Sequence, residues 1–86
     1  MGHIFCRLRN VSVSDIRARL KADEKEHAKY GLYLENVWQN ADNPDEVLFL
    51  FRAYDLKKAR DFIEAKHKET LEQNPEANLP QMIFLE

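Results

Sequence analysis

The chain has 86 residues, with 13 basic and 15 acidic side chains mixed along it and a formal net charge of −2. That length suits one domain and leaves no room for a second. The absence of a basic block argues against a nucleic-acid partner. No apolar run reaches the ~20 residues of a membrane span, and a single cysteine, Cys6, rules out an intrachain disulfide.

A lone thiol and no signal-peptide layout at the N-terminus set the expectation of a cytoplasmic protein. One Cys and three scattered His are a poor zinc set, and no cofactor fingerprint is present.

His3 to Arg9 alternates, with Ile4, Cys6 and Leu8 on one side and His3, Phe5 and Arg7 on the other, which predicts a strand. A helix is expected from Val13 to Tyr30. Ser12 is its N-cap, with Asp15 three residues on and Val11 facing Ile16 as a staple. Gly31 is free to turn left-handed at its end. The inward stripe reads Val13, Ile16, Leu20, Asp23, His27 and Tyr30, which puts two polar residues on the face turned to the core.

Leu32 to Gln39 is a second strand, rich in aromatic and branched residues. The Asn40–Glu46 stretch reads as a loop with Pro44 at the first corner of a type I turn. Val47 to Tyr54 is the most apolar strand and completes an antiparallel hairpin. Asp55 caps a second helix whose stripe is Leu56, Ala59, Phe62 and Ile63, with Thr70 and Leu71 further along. Pro75 lies beyond it. Gln81 to Glu86 is a short final strand.

The order is thus β-α-β-β-α-β, an α+β domain with two helices on one face of a four-stranded antiparallel sheet. Such a sheet should alternate apolar and polar if its other face is wet. It does not: Leu48 and Leu50 oppose Val47, Phe49 and Phe51, and Ile83 and Leu85 oppose Met82 and Phe84. Exposed apolar area of that kind marks an interface, and a two-fold homodimer joined through the sheet face is the simplest closed solution.

Several pieces in this order resemble the dimeric α+β barrel superfamily, which holds antibiotic-biosynthesis-monooxygenase-like and stress-responsive barrel proteins. They are VSVSDI entering the first helix, Gly31 closing it, NADNPDEVLFLF, DLKKARDF opening the second helix, and Pro80 before QMIFLE. The resemblance implies a ferredoxin-like protomer, a barrel shared between two sheets and a pocket between helices and sheet. Relatives often carry a His and, four residues later, an Arg on the first helix; Asp23 and His27 stand there in this chain.

The candidate ligand-binding residues are Asp23, His27, Trp38, Arg52 and Phe62. Asp23 and His27 lie one helical turn apart, so the carboxylate can orient the imidazole and keep it basic. Trp38 and Phe62 are candidate pocket walls, though aromatics in strands are first of all core and interface material. Arg52, within an apolar strand, calls for Glu35 on the neighbouring strand or for a ligand carboxylate. His3 and His67 read as surface residues, and Cys6 as an inert core thiol. No catalytic motif is present. The expectation is a binder of a small apolar or amphiphilic organic molecule in a helix–sheet pocket. The alternatives are a cofactor-free oxygenase or isomerase-like enzyme using His27, and an interaction module with no ligand.

Overall fold

A computed structural model describes residues 1–86. The elements run β1 (Gly2–Arg9), α1 (Val13–Ala22), α2 (Glu24–Lys29), β2 (Leu32–Asn40), β3 (Asn43–Ala53), α3 (Leu56–Gln73) and β4 (Gln81–Leu85). The four strands form one antiparallel sheet in the order β2-β3-β1-β4. The α+β class and the antiparallel sheet agree with the sequence, and the strand order is compatible with a ferredoxin-like protomer. There are three helices rather than two.

The local signals that placed the helix starts are present as hydrogen bonds. Ser12 Oγ accepts from the Asp15 amide at 3.2 Å, and Asp55 Oδ1 accepts from the Lys58 amide at 3.1 Å. Gly31 adopts φ 71°, and its carbonyl accepts from the Tyr54 amide at 2.9 Å. That bond ties the end of α2 to the end of β3.

The expected helix from Val13 to Tyr30 is interrupted at Asp23, whose backbone sits at φ −94° and ψ 3°. Asp is a weak helix former that suits a boundary, and the acidic residues Glu24 and Glu26 favour a fresh N-terminus just beyond it. Asp23 is consequently exposed, not turned inward as its place on the stripe suggested.

The hairpin also differs from expectation. It turns through Ala41 and Asp42, with Asn40 opposite Asn43. The side chains of Asn40 and Asn43 accept from the amides of Asp42 and Asp45 at 2.9 and 3.1 Å. Pro44 therefore lies within β3 rather than at a turn corner. It falls where the β2–β3 register shifts, so its missing N–H breaks no regular ladder.

One face of the sheet carries the core. Ile4, Cys6, Leu8, Leu32, Val37, Val47, Phe49, Phe51 and Ala53 are buried against Ile16 of α1 and Ala59 and Ile63 of α3. Leu71, expected on the inward stripe of α3, is exposed. Cys6 is buried, and burial pushes its thiol up to about 12, which leaves it inert at neutral pH.

The other face has no helix over it. Phe5 opposes Leu50 and Ile83, and Trp38 opposes Leu48. Trp38 and Ile83 are 42% and 56% exposed. At one end of this face Glu46 is 3% exposed, covered by arginine side chains rather than sunk in the core. Arg7 Nε and Arg9 Nε donate to its Oε2 at 2.9 and 3.0 Å, and Asn40 Nδ2 donates to Oε1 at 2.8 Å. Those bonds hold its carboxyl at about 2.

Candidate functional site

The helical layer leaves a gap over β2. Leu34 pairs with Phe51 and so points to the helix side of the sheet, yet it remains 41% exposed. An inward leucine on a covered sheet face should be buried. This one is not: it opens onto a space lined by residues of α1 and α2. Immediately after it the β2–β3 register shifts between Leu34 and Asn36, which makes Glu35 the extra residue of a bulge.

The gap is a cleft of about 570 Å³, within the range of small-molecule pockets. Leu20 of α1 and Ala28 of α2 form its helical wall, and Leu32, Leu34, Val37 and Phe51 form the sheet wall. Arg17, Lys21 and Glu24 line the helical side as well. The Arg17 guanidinium reaches across, donating from Nη2 to the Val37 carbonyl at 3.3 Å. That bond also satisfies one acceptor on the outer edge of β2, which no further strand covers.

His27 lines the same cleft. Its ring stands edge-on to Phe51, with centroids 5.2 Å apart and an interplanar angle of 83°. Burial lowers its pKa, while the negative charges of Asp23 and Glu26 act the other way without reversing the shift. The imidazole is therefore not kept basic by Asp23, and no side-chain hydrogen bond fixes its orientation. It is a neutral group at pH 7, able to donate from one ring nitrogen and accept at the other.

Of the five candidate residues, only His27 lines the cleft. Asp23 marks the helix break in solvent and reaches His27 by charge alone. Trp38 lies on the uncovered sheet face opposite Leu48. Arg52 is on that face too, its guanidinium 5.2 Å from the Tyr33 ring centroid. It does not pair with Glu35, whose carboxylate meets His3 Nε2 at 2.9 Å instead. Phe62 stacks on Tyr30 at 3.9 Å and 11°, bracing α3 against the end of α2 beside a separate shallow groove. His67 is half-buried rather than at the surface, and burial lowers its pKa.

Leu34, Arg17 and Lys21 were not among the candidates. Arg17, Lys21, Glu24 and Ala28 follow at four-, three- and four-residue spacing, a stripe beside the inward one. In a sequence such a stripe reads as a solvated helix face, and only the gap over Leu34 turns it into a wall. No cluster of His, Cys, Asp or Glu is placed to hold a metal ion, and no helix is long and apolar enough to cross a membrane.

Fold and cleft together define a small α+β protein with an open cavity between helices and sheet. No protein-family model, no curated protein and no solved structure matches it.

Proposed function

We propose that the chain binds a small apolar or amphiphilic organic molecule in the cleft between α1–α2 and β2. The observation that carries this reading is Leu34, an inward-facing leucine left open to solvent in front of a concave, mostly apolar wall. A bound molecule covering Leu34 and the ring pair His27–Phe51 would gain the burial that the helices do not supply. His27 would meet its polar part with one hydrogen bond. An enzyme using His27 as base has less support, since no neighbouring side chain orients the imidazole. Leu34→Trp fills the cleft from its own wall. Amide chemical-shift titration with small amphiphiles should move the resonances around Leu34, His27 and Phe51 in the native chain and not in this variant. Shifts confined to the uncovered sheet face in both proteins would refute the reading.

The uncovered face supports a homodimer, with the two sheets packed together as in the barrel family that the sequence resembles. The β1–β3 ladder spans the 8 residues of β1, about 26 Å at ~3.3 Å per residue, and four strands at ~4.8 Å make a face about 19 Å wide. That footprint is on the order of 500 Å². Phe5, Trp38, Leu48 and Ile83 add relief to that face, against the ~800 Å² per partner of a standard interface. The apolar residues are central, while Arg7, Arg9 and Glu46 are already paired at one end and His3 and Glu35 at the other. Arg52, with no carboxylate partner, lies over the Tyr33 ring at that second end; an apolar middle with a polar rim is the anatomy of an interface. A buried thiol and the absence of disulfides suit a cytosolic setting.

A further inference from the structure

We infer that the occupant of the cleft is an anion, an apolar body ending in a carboxylate that Arg17 and Lys21 receive. This rests on the reading of the cleft as a ligand site and names the chemistry of its polar end. Arg17 and Lys21 are one helical turn apart on the side of α1 that lines the cavity. Neither has a carboxylate within ion-pair distance; Arg19, Lys25, Lys29, Arg52, Lys58 and Lys68 are likewise unpaired, but only Arg17 and Lys21 line the cleft. The Val37 carbonyl holds only one guanidinium nitrogen of Arg17, at 3.3 Å, which steadies the group and leaves its other donors free. A planar guanidinium with free N–H groups suits a carboxylate better than it suits a hydroxyl or an amine.

The carboxylates of the lining do not cancel this preference. Glu35 keeps its charge but turns its carboxylate to His3 Nε2 at 2.9 Å, and His3 pairs in register with Arg52 on the uncovered face, which leaves Glu24 as the carboxylate beside the two cations. Leu20, Leu34 and Phe51 then face the apolar body. His27, neutral at pH 7, sits at the level of Phe51 and adds no opposing charge.

The test uses three probes with the same ten-carbon tail, decanoate, decanol and decylammonium, titrated calorimetrically at pH 7.5 and low salt. Decanoate should bind roughly tenfold or more tightly than decanol, with decylammonium weakest. Arg17→Gln with Lys21→Gln should close the gap between decanoate and decanol, and a tenfold preference for decanoate that survives in this variant would overturn the assignment. High salt should erode the preference in the native chain. Equal affinities for acid and alcohol, or tightest binding of the amine, would overturn the anion assignment and leave the cleft reading standing. No binding of any of the three would overturn both.

Discussion

His27 and Phe51 are held as an edge-to-face pair, ring centroids 5.2 Å apart, at the point where the cleft meets the core. Protonating His27 there would charge a half-buried ring, and burial accordingly lowers its pKa against the pull of Asp23 and Glu26. As pH falls through ~6.5 the unfolded chain takes up the proton first, so stability falls on the acid side of that value until the depressed folded pKa is passed. His67 acts with the same sign. Residue-resolved imidazole titration by NMR should find His27 below the ordinary value. Asp23→Asn should lower it further, because the substitution removes a charge that favours the imidazolium. A rise in that variant would contradict the account of the shift.

The uncovered sheet face yields a prediction about Trp38, the chain's single tryptophan. Dimerisation would bury its indole, so its emission should move to shorter wavelength as protein concentration rises. Sedimentation should show the mass of two chains over the same range. Trp38→Lys together with Ile83→Lys should give a folded monomer by circular dichroism, since both side chains are exposed in one chain. A native chain that sediments as a monomer at high concentration would contradict the pairing.

Glu46 links Arg7, Arg9 and Asn40 across three strands, and its carboxyl is held at about 2 by their hydrogen bonds. The folded value lies below that of the unfolded chain. Its contribution is therefore complete above about pH 4.5 and fades as pH drops towards 2. Glu46→Gln should flatten the acid limb of the stability curve in that window and lower Tm at pH 7. Acid denaturation monitored by circular dichroism measures both.

Gly31 is the one glycine with a positive φ, 71°. A Cβ there would strain the backbone and approach the Tyr54 Cβ to 3.2 Å. Gly31→Ala should cost about 1–2 kcal/mol, a fall in Tm of about 4–15 °C for a domain of this size. Asn, which tolerates the left-handed region, should cost less. Calorimetric melting of the two variants gives the comparison.

The elements were legible in the sequence because their signals are local. Ser12 and Asp55 cap where they were expected to, Gly31 turns left-handed, and the alternation of β1 and β3 sorts their residues onto two faces. The hairpin misled because NADNPDE is dense in turn formers. Asn40 and Asn43 use their side chains on the backbone two residues on, which shortens the turn and frees Pro44 to enter the strand. The site was hardly legible. His27 stood out as a polar interruption of an apolar stripe, and it does line the cleft. Trp38 and Arg52 were candidates as an aromatic in a strand and a charge among apolar neighbours, yet the parity of their strands places both on the uncovered face. The cleft itself is assembled from residues of α1, α2, β2 and β3. That is a tertiary fact, and nothing in the spacing of the residues announces it.

The most direct measurement is an isotope-filtered NOE experiment on the labelled chain with unlabelled decanoate. Cross-peaks from the decanoate chain to the Leu34 methyl groups and the Phe51 ring protons are expected, with His27 at the edge of the contact set. Cross-peaks confined to Trp38, Leu48 and Ile83 would place the ligand on the sheet face instead and contradict the cleft as the binding site.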